Sequence, residues 1–155
     1  MKKSELKFLV VGAGAVGGIT AALLRKNGID VEIVCKYDDY ASLVSENGLK
    51  VSGVCGEFST DIPAFASVSQ VKNEKDIILL TTKTTDMIKA AQSLISILKK
   101  DGFVISLQNG FCEDELGRVS APVNNAIVNM IHQIEQQIRE ILVFNFNDPF
   151  FDRFR

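Results

Sequence analysis

The stretch Leu9–Gly18, LVVGAGAVGG, constrains this chain more than any other. An apolar run breaks into glycines, and Val16, Ile19, Leu23 and Leu24 then recur at helical spacing. Leu6–Val11, apolar but for Lys7, is expected to be a strand buried on both faces. Gly12–Gly17, GAGAVG, therefore fits G-x-G-x-x-G in the setting that gives the pattern meaning, directly after a strand and opening a helix. Gly12 would permit the tight turn, Gly14 would let backbone approach a pyrophosphate, and Gly17 would let helix and strand pack closely. Free N–H groups at the helix start, together with the helix dipole, favour phosphate charge there. Gly12, Ala13, Gly14, Ala15, Val16 and Gly17 are thus candidate cofactor ligands. The bland alternative is a glycine turn that serves the fold and holds nothing. A phosphate-binding loop of the GK[ST] kind is absent.

The pattern then alternates. Asn27-Gly28 stops the first helix, and Val31–Cys35 reads as a second strand. Asp38–Glu46 reads as a short helix closed by Asn47-Gly48, and Leu49–Val54 with Glu57–Ile62 as a hairpin around Cys55-Gly56. Asp76–Thr82, DIILLTT, is another buried strand. Met87, Ile88, Ala91, Leu94, Ile95 and Leu98 mark a helix expected to stop at Asp101-Gly102, and Phe103–Leu107 is a buried strand after it. Strands alternating with helices predict an α/β chain with a Rossmann-like, doubly wound, mostly parallel sheet. The register changes near Gly117. From Pro122 the spacing predicts one long helix over about 122–142, with Ile127, Ile131, Ile134, Ile138 and Ile141 on one seam. Five of the ten phenylalanines crowd the tail that follows. Residues 1–117 are therefore read as a nucleotide-binding domain and 118–155 as a separate segment.

Composition closes off other classes. With 155 residues the chain has room for one domain and a real core. Seventeen basic against 19 acidic residues give a net charge of -2, so nothing argues for nucleic acid or a membrane surface as partner. No apolar stretch is long enough to span a bilayer. Cys35, Cys55 and Cys112 form no CxxC pair, which speaks against a disulfide framework or zinc site and fits a reducing cytoplasm. His132 stands alone, leaving no His-based metal cluster and no Ser-His-Asp arrangement.

In open α/β sheets the ligand lies at the carboxyl ends of the strands. An acid that bonds the ribose 2′-hydroxyl of NAD usually ends the second strand; here VEIVCK puts Cys35 there and Lys36 beside it. A missing carboxylate with an adjacent cation favours a 2′-phosphate, hence NADP(H). The alternatives are a solvated lysine and a cysteine that fills the strand, and Asp38 and Asp39 are placed to serve a ribose hydroxyl instead. Lys83 follows DIILLTT, and Gln108, Asn109 and Gly110 follow FVISL. A lysine and an amide near a nicotinamide suit the carbonyl or carboxylate of a small polar substrate. A surface lysine and a plain Asn-Gly turn remain the other readings.

GAGAVGG, TTKTTD and SLQNG together resemble the ketopantoate reductase (2-dehydropantoate 2-reductase) family, over about Leu6–Gly117. The resemblance implies that the glycine loop binds NADPH, that Lys36 meets the 2′-phosphate, and that Lys83 and Asn109 border the nicotinamide and substrate. It implies reduction of a small-molecule 2-oxo acid to a 2-hydroxy acid, on the route to pantothenate and coenzyme A. Asp86 stands where the family often carries glutamine. Family members are longer. Their helical second domain supplies a lysine that protonates the substrate carbonyl, asparagines and a serine for the substrate, and a glutamate near the cofactor. Ala121–Glu135, APVNNAIVNMIHQIE, resembles only the closing helix of that domain, with the junction near Leu116–Val119.

Reduction of a ketone builds charge on oxygen that needs a proton. Lysine is absent after Lys100, and arginine is a poor acid. The expectation is a chain that binds NADP(H) but reduces ketopantoate poorly or not at all by itself, with a homodimer formed through the 122–142 helix. A reading from another class is a non-catalytic NADP(H)-binding module or interaction protein. A flavin-binding domain is a third, which the TTK and QNG strand ends argue against.

Overall fold

The computed structural model describes residues 6–53, 56–107 and 127–128. Among the described residues eight strands and three α-helices, with one short 3-10 turn at Val68–Gln70, follow in order: β1 Lys7–Val11, α1 Ala15–Lys26, β2 Asp30–Val34, α2 Asp38–Asn47, β3 Leu49–Val51, β4 Phe58–Thr60, β5 Ala64–Phe65, β6 Lys75–Leu80, α3 Thr84–Leu94, β7 Leu98–Ser106 and β8 Ile127–Val128. Six of the strands form one sheet in the order β5-β2-β1-β6-β7-β8, and every neighbouring pair is parallel. The chain starts in the middle at β1, steps out through β2 to β5, then returns to the other side of β1 with β6. That is the doubly wound plan, and its reversal falls between β1 and β6.

Alternation within the strands makes two cores from one sheet, because successive side chains leave opposite faces. Leu9, Val11, Ile78 and Leu80 pack with Met87, Ala91 and Leu94 of α3. Val10, Val31, Ile33 and Leu79 pack with Ala21 and Ala22 of α1 and Ala41 and Val44 of α2. Leu9, Val10, Ile78 and Leu80 have no exposed surface, as their unbroken apolar runs predict, and neither have Val31 and Ile33, which flank Glu32 in β2. The expected hairpin is β3 with β4, antiparallel, with Leu49 opposite Thr60. It is tied to α1 by Lys26, whose ammonium lies 4.0 Å from the centre of the Phe58 ring, and Arg25 Nε donates to the nearby Asp61 carbonyl. Val54 and Cys55, at its tip, lie outside the described residues.

One expectation needs correction. The third helix ends at Leu94, well before Asp101-Gly102, and Leu98 already belongs to β7. The apolar pattern carries on past Leu94, but the sheet competes for the backbone. Lys75 N–H donates to the Ile97 carbonyl at 2.7 Å, and Lys99 Nζ reaches Asp76 Oδ1 at 2.7 Å. The extra residues between Leu98 and Phe103 are taken up by a register shift opposite Lys75–Ile77. The expected 122–142 helix is described at only two residues. Ile127 and Val128 are strand, paired parallel with Val104 and Ile105 of β7, where an otherwise unpaired edge offers hydrogen bonds to β-branched residues. The rest of 122–142 lies outside the described residues, as do the 117/118 boundary and the phenylalanine-rich tail.

Candidate functional site

The carboxyl ends of β1, β2 and β6 bring three of the sequence-predicted clusters to one edge of the sheet. These are Gly12–Gly17 after β1, Lys36 after β2 and Lys83 after β6. Asn109 lies outside the described residues. The glycine turn occupies the end of β1, beside the point where strand order reverses.

Each glycine of the turn has a different job. Gly12 sits at φ +113, in the region that side chains disfavour, and a Cβ on it would stand 2.8 Å from the Thr81 carbonyl carbon. A Cβ on Gly17 would run into the Gly12 carbonyl oxygen and Thr81 Oγ1, so α1 approaches β1 only because that atom is missing. Gly14 differs from both. It is the residue before α1, with φ -75, and a Cβ there would meet nothing within 4 Å. The fold makes no demand on Gly14, and its face is open.

The start of α1 is electrostatically unbalanced. Gly14 has no side chain to cap the helix, and the first turn carries no acid. The first N–H groups of an α-helix lack acceptors within the helix, and the dipole places positive charge at that end. Ala13, Gly14, Ala15, Gly18 and Ile19 also line a surface cavity of about 310 Å³, together with Tyr40, Leu49, Lys50, Val51 and Ser52. Open backbone, uncapped N–H groups and adjoining space fit a bound pyrophosphate.

Sequence reading passed over one residue that holds the turn in place. Thr81, the first residue after β6, shares its one hydroxyl proton between the Gly12 carbonyl at 2.7 Å and the Val11 carbonyl at 3.0 Å. Its N–H also donates to Val11 at 2.9 Å, while Gly12 N–H donates to Val34 at 2.9 Å. The turn is thereby pinned to both strands that flank β1. The available signal was the paired threonine at the strand end, but which carbonyls it meets is a matter of pairing β1 with β6.

Lys36 and Asp86 meet across the same edge. Lys36 Nζ donates to Asp86 Oδ2 at 2.9 Å, with side chains 63% and 44% exposed. Asp86 lies in the first turn of α3, where its charge suits the helix dipole and its N–H donates to the Lys83 carbonyl. The hydrogen bond and charge of Asp86 raise the Lys36 pKa above its ordinary value, so the lysine is fully cationic near neutrality. Cys35 is 2% exposed, and burial pushes its thiol pKa up. It fills the strand as a protonated thiol and is a poor nucleophile. Lys83 is exposed and forms the N-cap position of α3. Among the described residues no group of three His, Cys, Asp or Glu side chains could hold a metal. Also among these residues, no helix is long and apolar enough to cross a membrane.

Comparison with known proteins places this geometry. A sequence profile described as ketopantoate reductase PanE/ApbA matches residues 8–138. A 2-dehydropantoate 2-reductase of Nostoc sp. is 33% identical over 123 residues, covering 78% of this chain and 38% of that protein. The crystal structure of a PanE/ApbA family ketopantoate reductase from Ralstonia eutropha superposes with a TM-score of 0.68 at 25% identity, covering 77% of this chain and 39% of that one. A ternary structure of D-mandelate dehydrogenase with NADH and anilino(oxo)acetate superposes with a TM-score of 0.66 at 27% identity, covering 73% and 36%. The chain thus spans well under half the length of the proteins it matches.

Proposed function

The chain belongs to the ketopantoate reductase PanE/ApbA family, and on that premise we propose that it binds NADP(H) at the glycine turn, as the nucleotide-binding part of a 2-oxo acid reductase. The observation that carries this reading is the uncapped start of α1, with the open face of Gly14 at the carboxyl end of β1. The backbone N–H groups of Ala15, Val16 and Gly17 hold the pyrophosphate, and Ala13 lines its approach. Lys36 takes the 2′-phosphate, which a cation beside a buried Cys35 favours over a bare ribose hydroxyl. When bound, the dinucleotide supplies the hydride that converts a 2-oxo acid to a 2-hydroxy acid, with ketopantoate or a close relative as substrate.

Lys83 and Asn109 border the nicotinamide and substrate, as the family resemblance implies. Lys83 contributes positive charge suited to a substrate carboxylate. A proton must still reach the developing alkoxide. No lysine follows Lys100, so the proton-donating lysine that the resemblance implies has no match in these 155 residues. We therefore place 1–117 as the NADP(H)-binding domain, and 118–155 as a piece of the helical domain through which two copies associate. These 155 residues bind the dinucleotide without turning over substrate, in a cytoplasmic setting that the lack of a CxxC pair suits.

The test is titration of the purified chain with NADPH and with NADH, followed by nicotinamide fluorescence, with ketopantoate then added to the same cuvette. The expected result is binding without oxidation. Oxidation at ordinary enzyme rates would overturn the catalytic part of the reading. Absence of binding would reduce the glycine turn to a feature of the fold.

A further inference from the structure

The Lys36–Asp86 pair joins the segments that follow β2 and β6, the two strands flanking β1. The glycine turn lies between them, so the pair stands at the part of the sheet edge that a dinucleotide has to cross. Lys36 is not a waiting cation. Its ammonium is already engaged at 2.9 Å by a carboxylate 50 residues away in sequence. Resting on the dinucleotide reading above, we propose that Asp86 sets the choice between the two nicotinamide dinucleotides by holding Lys36 and by presenting a carboxylate where the 2′ position is read.

The two charges have opposite preferences. Lys36 attracts a 2′-phosphate, which carries close to two negative charges near neutrality. A carboxylate repels that group but accepts a hydrogen bond from a 2′-hydroxyl, the role an acid at the end of the second strand plays in other dinucleotide-binding domains. Here the acid comes from the first turn of α3 instead. Asp38 and Asp39, in the first turn of α2, follow Lys36 closely in the chain and add to the negative side of the balance. Because Lys36 and Asp86 are both exposed, the pair itself is weak and opens readily. The selectivity therefore depends on which charge the 2′ group meets, and removing the carboxylate tips it towards NADPH.

The experiment measures Kd for NADPH and NADH by nicotinamide fluorescence on the full 155-residue chain, as wild type and as Asp86→Gln, Asp86→Asn and Lys36→Gln, with thermal melts to verify folding. Removing one unit charge at close range through solvent raises the NADPH-over-NADH affinity ratio about fivefold in both Asp86 variants, an effect that shrinks at high salt. Lys36→Gln moves the ratio the other way. If wild type binds a dinucleotide and both Asp86 variants leave the ratio within twofold, the proposal is overturned and the cofactor reading stands. A ratio that falls in the Asp86 variants also overturns it. If neither wild type nor any variant binds either dinucleotide, the cofactor reading fails and the proposal fails with it.

Discussion

Replacing Gly17 by alanine separates what the glycine turn does for the fold from what it does for a ligand. Helix propensity alone favours the change, by about 1 kcal/mol for glycine to alanine inside a helix. Packing opposes it. The new methyl would overlap the Gly12 carbonyl oxygen and Thr81 Oγ1, one of them backbone and the other fixed by two hydrogen bonds. Relief requires α1 to lift from β1 or the Thr81 hydroxyl to turn away. Overpacking of this kind costs about 1–3 kcal/mol, and a lost hydroxyl bond adds about 1 kcal/mol. The net expectation is a destabilisation of about 1–3 kcal/mol after the propensity gain is subtracted. At roughly 2–4 °C per kcal/mol for a chain of this size, Tm falls by several degrees. Urea denaturation followed by circular dichroism measures it directly. Gly14→Ala is the control, because its methyl meets nothing within 4 Å. It costs no more than about 1 kcal/mol through a poorer N-cap, yet weakens NADPH binding about tenfold if backbone approach at Gly14 is needed. A Gly17→Ala chain as stable as wild type would refute the packing argument. Equal dinucleotide affinity in Gly14→Ala would refute the assignment of that face to a ligand.

Thr81→Val keeps the shape of the side chain and removes its bonds to Val11 and Gly12; stability in urea should drop by about 1–2 kcal/mol, with weaker dinucleotide binding because the turn is no longer pinned. Lys75 is 2% exposed and bonded to Glu32 at 2.6 Å, with Glu32 at 18%. Glu32→Gln strands a buried ammonium and should cost about 2–4 kcal/mol, whereas Lys75→Met should cost clearly less, and the reverse order in thermal melts would contradict this account. Burial of Asp76 opposes its ionisation, but the Lys99 ammonium and the Lys7 N–H outweigh that and hold its carboxyl below its ordinary value of 3.8. Its pKa is lowered on folding, so its stabilisation is present above 3.8 and is lost as pH falls through the folded value. Acid unfolding curves for Asp76→Asn should accordingly lose stability less steeply than wild type below that pH.

Local pattern was enough for the parts of this protein that local chemistry decides. The glycine turn, the buried strands and the β3–β4 hairpin were legible because burial on two faces demands largely apolar runs, and a turn against a neighbouring strand demands glycine. Pattern failed where the sheet outcompeted the helix. The apolar spacing past Leu94 continues at helical intervals, yet Leu98 is strand because Lys75 and Asp76 pair with that segment. The two-residue β5 carries too short a signal to read, and Ile127–Val128 are equally at home on a helical seam until β7 offers them an edge. At the site, sequence identified Lys36 by its position after β2, and nothing in its neighbours could reveal that a carboxylate 50 residues on would claim it. Thr81 lies 69 residues from Gly12 and became its clamp for the same reason. Residue types and spacings determined the buried strands, the helix starts and the place of the glycine turn. The sheet alone decided which charges and hydroxyls face one another, because such pairings follow from strand order and not from distance along the chain.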